Sequence, residues 1–131
     1  MSDAVSRGGC HCGRVRFEVR GAPARVLVCN CSICTKRGYL HWIVPAGDVR
    51  VVAGAGAMSE YRFGTGVARH YFCPVCGCAP YYVPRSDPDK LDVNVRCLDD
   101  VDLGALVIDS FDGKDWDRHY RDVYAPQRDG G

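Results

Sequence analysis

Charged and apolar side chains alternate without a break along Arg14-Val15-Arg16-Phe17-Glu18-Val19-Arg20. This two-residue period predicts a half-buried strand with Val15, Phe17 and Val19 turned to the core, ended by Gly21 and Pro23. Residues 26–28, 39–44 and 49–52 are short apolar, aromatic or β-branched runs, and each reads as a further strand. The runs 59–63 and 68–72 flank Gly64-Thr65-Gly66 and predict a hairpin. Residues 79–83 and 91–95 complete the strands, with Pro84-Arg85-Ser86-Asp87-Pro88-Asp89 as the loop between them. Only 98–110 has room for a helical turn or two, and Val107-Ile108 within it reads equally as strand. There is no internal repeat and no linker. The pattern predicts one all-β domain of several short antiparallel sheets with little helix, over residues 8–123. A flexible lead (1–7) is expected before it and a loose tail (124–131) after it.

The 131 residues suit a single domain. Seventeen Lys+Arg against sixteen Asp+Glu leave a net charge of +1, so no basic excess points to nucleic acid or to an anionic membrane. The N-terminal residues hold no signal-peptide core, and no apolar run approaches the ~20 residues that cross a bilayer. A cytoplasmic location is therefore expected, where thiols stay reduced. That matters because nine residues are cysteine. An odd number would leave one thiol over from a closed set of disulfides, and clustered thiols in a reducing compartment usually mean metal or redox chemistry.

Eight of the nine fall into three knots: Cys10-x-Cys12, Cys29-x-Cys31-x-x-Cys34 and Cys73-x-x-Cys76-x-Cys78. Sixteen residues separate the first knot from the second, and 38 separate the second from the third. Tetrahedral zinc takes four ligands with thiolate bonds of ~2.3 Å, and two close pairs from distant parts of a chain supply them with little strain. Cys10, Cys12, Cys73 and Cys76 are accordingly assigned to a closed structural site, which would contribute about 10–16 kcal/mol to so small a domain. The middle knot offers Cys29, Cys31 and Cys34 without an obvious fourth partner, which is how catalytic zinc sites with an open position are built. Zinc competes with disulfides, with redox pairs and with an iron–sulfur cluster, which uses the same four thiolates. No βαβ pattern supports the redox pairs, and Thr35 and Gly77 stand where a c-type haem motif needs histidine. Cys78 is the alternative fourth ligand of the middle site, and in that position it would close it. Cys97 is expected on a strand as a small core residue.

Taken together, these motifs resemble the glutathione-dependent formaldehyde-activating enzyme family, which also includes centromere protein V. The matching stretches are Gly9-Cys10-His11-Cys12-Gly13, Cys29-Asn30-Cys31-Ser32-Ile33-Cys34 with Gly38 beyond, and Tyr71-Phe72-Cys73-Pro74-Val75-Cys76-Gly77. Weaker ones are Asn94-Val95-Arg96-Cys97-Leu98-Asp99 and Phe111-Asp112-Gly113-Lys114-Asp115-Trp116, so the likeness runs over about residues 8–118. The resemblance implies a zinc-stapled fold of the β-tent kind and two zinc ions per chain. One would be structural, on Cys10, Cys12, Cys73 and Cys76; the other catalytic and labile, on Cys29, Cys31 and Cys34. It further implies a carbon–sulfur lyase-type enzyme that joins glutathione, or a similar small thiol, to formaldehyde or another small aldehyde.

A zinc with three thiolates is a weak Lewis acid and a good partner for soft sulfur, so thiol activation is favoured over carbonyl polarisation. The thiol needs a proton acceptor. His11, His41, His70 and His119 are the candidates, and His41 lies closest in sequence to the middle knot. Lys36 and Arg37 could meet a substrate carboxylate or offset the thiolate charge. Tyr39 and Trp42 read as core or pocket wall, and Phe111 and Trp116 as closure of the core. Two other functions compete: a binding module in which both zincs are structural, and a labile-zinc protein that binds or senses thiols without turnover.

Overall fold

In the computed structural model the alternating stretch becomes β2 (Arg16–Arg20), and Val15, Phe17 and Val19 are all buried. The structure describes residues 4–130, which are mostly β, as expected, with ten strands. β1 (Val5–Gly9), β2 and β5 (Val49–Ala53) form an antiparallel sheet in the order β1-β2-β5. The other seven strands are β3 (Arg25–Cys29), β4 (His41–Pro45), β6 (Ser59–Tyr61), β7 (Arg69–Phe72), β8 (Tyr81–Val83), β9 (Lys90–Asn94) and β10 (Val107–Phe111). They form one sheet in the order β10-β3-β4-β9-β8-β7-β6, antiparallel except for the parallel pair β10/β3.

Residue parity decides what each face of the larger sheet does, because successive side chains of a strand point to opposite faces. Leu40 and Val44 around β4, Tyr81 in β8, and Val93 and Val95 around β9 lie on one face. They pack with Phe17 and Val19 of the smaller sheet into the main core. On the opposite face the register Leu27↔His41, Ile43↔Asp92, Tyr82↔Asp92 and His70↔Tyr82 sets a row of polar and aromatic side chains across five strands. Cys29 stands two residues along β3 from Leu27, on that same face.

Three expectations change. Residues 5–9 are strand β1, paired with β2 from Val5↔Arg20 to Gly9↔Arg16, whereas a lead was expected through residue 7; Met1–Asp3 lie outside the described residues. The end of the chain is helical where a tail was expected. α2 (Trp116–His119) and α3 (Ala125–Gly130) are joined by a π-helical turn, Tyr120–Tyr124. Trp116, Tyr120 and Tyr124 recur at four-residue spacing; the first two rings stack at 4.9 Å and the last two lie tilted at 6.0 Å. The Tyr124 hydroxyl donates to the buried Asp87 carboxyl at 2.6 Å, docking this segment on the β8–β9 loop. Finally, Cys97 ends a 3₁₀ turn, Val95–Cys97, and is only partly buried.

The two sheets meet where Gly8 bridges Leu98 and the Asp99 amide donates to the Arg7 carbonyl at 2.8 Å. Gly8 is required there, since a Cβ would overlap the carbonyl oxygen of Cys97. Gly8→Ala is expected to cost about 2 kcal/mol. Gly47→Ala, with nothing within 4 Å of the added carbon, is expected to change stability by less than about 0.5 kcal/mol. Urea unfolding of the two variants checks the pair.

Candidate functional site

The structure brings the first and third cysteine knots together. The sulfurs of Cys10, Cys12, Cys73 and Cys76 all lie within 4.8 Å of one another, with Cys10–Cys12 and Cys12–Cys73 each at 3.6 Å. Four thiolates at ~2.3 Å around one zinc would stand about 3.8 Å apart, so the set fits the ion. Local backbone makes the pocket. Val15 donates its amide to Cys10 Sγ at 3.3 Å, and a turn of Cys73–Gly77 is closed by the Gly77 amide on the Cys73 carbonyl at 2.8 Å. Cys78 belongs to this neighbourhood. It packs with Cys10, Val15 and Cys73, and its amide helps to lower Cys76 to about 5.

Cys29, Cys31 and Cys34 form a second group within the same 4.8 Å limit. Cys29 ends β3. Cys31 caps the helix α1 (Ser32–Arg37), its sulfur accepting the Cys34 amide at 3.5 Å, and Gly38 stops that helix in a left-handed conformation, φ 63°. A six-residue helix is too short to show a period, so the sequence pattern does not reveal it. The hydrogen bond from Cys29 pulls Cys31 down to about 2 while the same contact with Cys31 pushes Cys29 up to about 11. Cys34 is pushed up by its hydrogen bonds with both. Without a cation one sulfur ionises at its neighbours' expense; three together need a positive centre, and they supply the soft donors that suit zinc.

Residues beyond the knot complete the site. Asn30 donates to Asp112 Oδ1 at 3.0 Å and accepts the Lys114 amide at 2.9 Å, clipping the segment after β10 onto the cysteine loop. Gly113 lies so close that a Cβ would stand 2.5 Å from Cys29 Sγ and 2.7 Å from Cys31 Cβ. Asn30 and Gly113 stand inside stretches that carry the family resemblance, but their role is not legible there, because it depends on two segments 82 residues apart meeting.

All three cysteines line a cavity of about 500 Å³, and Cys10, Cys12, Cys73 and Cys76 do not. His41, His70, Tyr82 and Asp92 of the sheet row form another part of its wall, and Phe63, Trp116 and Tyr124 a third. Burial, and then Arg37, lowers the pKa of His70. Burial raises Tyr39 and Tyr82 well above the usual phenol range, keeping both as hydrogen-bond donors. Other expected residues lie elsewhere. His11 is exposed, and His119 packs 4.5 Å from Phe111 at an adjoining hollow that Trp42 also lines. Lys36 and Arg37 are on the last turn of α1, with Arg37 5.6 Å over Phe72. Arg85 and Lys114 are the cations that line the cavity.

Residues 5–111 match the sequence model of the glutathione-dependent formaldehyde-activating enzyme family. A Halomonas elongata protein provisionally named as a glutathione-dependent formaldehyde-activating enzyme is 32% identical over 101 residues, 70% of this chain; the chain spans 64% of that protein's length. A Rhodobacter sphaeroides protein of known crystal structure superposes with a TM-score of 0.71 at 38% identity, over 79% of this chain and 99% of that one.

Gly113→Ala is expected to weaken metal binding by the three-cysteine group about 10-fold and to leave the four-cysteine group unchanged. Cobalt titration, followed by thiolate absorption, reads the two groups; equal affinities with and without the substitution would contradict the close approach.

Proposed function

The chain belongs to the glutathione-dependent formaldehyde-activating enzyme family, and we propose that it joins a small thiol of the glutathione kind to a small aldehyde at Cys29, Cys31 and Cys34, in formal terms a carbon–sulfur lyase reaction run in reverse. One observation carries this reading: the three-cysteine group opens on the cavity, and the four-cysteine group does not. Cys78, the residue that could have closed the middle group, packs with the other one. In this reading Cys10, Cys12, Cys73 and Cys76 hold a structural zinc, and Cys29, Cys31 and Cys34 hold a second.

Zinc on three thiolates would lower the pKa of a thiol that joins it, so that the sulfur is available as thiolate near neutral pH. The chain's own residues do the rest. The end of β3 and the cap of α1 fix the three sulfurs, and the Asn30 clip holds the wall formed by Gly113 and Lys114 against them. Phe63, Trp116 and Tyr124 give that cavity an apolar side. Arg85 is held by Asp117 at 3.0 Å and lies 3.7 Å over Trp116. With Lys114 it is the cation available to a carboxylate of the thiol, in place of Lys36 and Arg37.

Purified protein is expected to carry about two zinc ions per chain. Cys31→Ser should remain folded with about one zinc and lose acceleration of glutathione–formaldehyde adduct exchange, read by exchange NMR. Cys10→Ser should lose cooperative unfolding. Retention of activity by Cys31→Ser, or equal unfolding by both changes, would reject the division of labour.

A further inference from the structure

Resting on that reading of the cavity, we propose that His41 is the proton-transferring residue of the thiol addition and that Asp92 is the residue that positions it. The two are diagonal neighbours on one sheet face, since Ile43 pairs with Asp92 and His41 with Asn94. His41 Nδ1 lies 2.7 Å from Asp92 Oδ2, and the side chains are 4% and 1% exposed. A carboxylate oxygen accepts, so Nδ1 carries the proton, and in the neutral ring the lone pair is on Nε2. The imidazole is held on two sides: Tyr39 and Tyr82 place their rings 4.7 and 5.8 Å from it, and the Tyr82 hydroxyl is 3.3 Å from Nδ1. The Tyr39 hydroxyl donates to the Asp92 backbone carbonyl at 2.8 Å, fixing the carboxyl's own strand.

Among the described residues, His41 Nε2 and Asp92 Oδ1 are the buried side-chain nitrogen and oxygen atoms with no hydrogen-bond partner. A histidine serving only the core would be expected to use both ring nitrogens, because an unpaired buried acceptor is costly. Here the free nitrogen belongs to a residue of the cavity that Cys29, Cys31 and Cys34 also line. Leu27, opposite His41, is two residues from Cys29 on the same face. His70, the other histidine of that wall, stacks on Tyr82 at 4.7 Å.

The proton balance of the addition needs one such group. His41 Nε2 takes the thiol proton, the sulfur forms its bond to the aldehyde carbon as the carbonyl π bond opens, and the resulting alkoxide oxygen takes the proton back from Nε2. Nothing is oxidised or reduced, and the residue ends as it began. Asp92 holds the ring in the tautomer that keeps the lone pair on Nε2 and stabilises the imidazolium formed between the two transfers.

The test uses the metal-loaded protein with glutathione and formaldehyde. His41→Asn keeps an amide donor for Asp92 but has no proton acceptor. It is expected to lower kcat about 100-fold with KM little changed, and added imidazole should restore part of the rate to His41→Ala. Asp92→Asn should lower kcat by a smaller factor with KM again held. Wild-type rates in His41→Asn would overturn the proposal. So that it does not depend on folded variants, long-range proton–nitrogen NMR of the wild type reads the tautomer: Nε2 should be unprotonated and should shift when glutathione binds. A protonated Nε2, or one that does not move while glutathione binds, also overturns it. A wild-type protein that neither binds glutathione nor accelerates exchange rejects the underlying site reading instead, and the proposal with it.

Discussion

Seven cysteine sulfurs gathered into two groups set the terms for the rest of this fold. Within each group the sulfurs lie within 4.8 Å of one another, too close for all of them to be anionic unless a cation sits among them. The hydrogen bond shared by Cys29 and Cys31 lowers the second and raises the first, so one sulfur becomes anionic at the other's expense. The same constraint explains the topology. The four-cysteine group ties the end of β1 to the turn after β7, and Asn30, within the three-cysteine loop, clips the end of β3 to the segment that follows β10. Regions far apart in the chain are thereby held together in a domain with modest apolar area to bury.

The larger sheet divides its labour by face. Its inner face supplies the core with the smaller sheet, and its outer face carries the row from Leu27 through His41, Asp92 and Tyr82 to His70. Strand alternation makes this economical, since each strand contributes a core residue and a cavity residue in adjacent positions. The C-terminal helical segment covers part of the outer face. Through Trp116 and Tyr124 it turns an open sheet surface into a bounded cavity, and Tyr124 secures it to Asp87. That segment lies beyond the stretch matched by the family model, which ends at residue 111.

Much of this could be read from the sequence because two signals in it are strong. Strict alternation located β2, and cysteine spacing separated a two-plus-two group from a group of three. The features that escaped have physical reasons. β1 is short, glycine-ended and stabilised by its partner β2 more than by its own residues. α1 is one and a half turns whose cap is a cysteine already read as a ligand. The terminal helix did leave a trace, the four-residue spacing of Trp116, Tyr120 and Tyr124, but Pro126 and the glycines after it mask it. The His41–Asp92 pair could not be read at all. It links positions 51 residues apart, through a register that only the assembled sheet defines.

In the proposed function one sulfur group is closed and the other is open to a thiol. Cadmium-113 NMR of the cadmium-loaded protein examines both groups at once, because the resonance responds to the number of bound sulfurs. Two signals are predicted, one of which stays fixed while the other moves toward the four-sulfur position as glutathione is added. A single signal, or two signals that both ignore the thiol, would contradict the account.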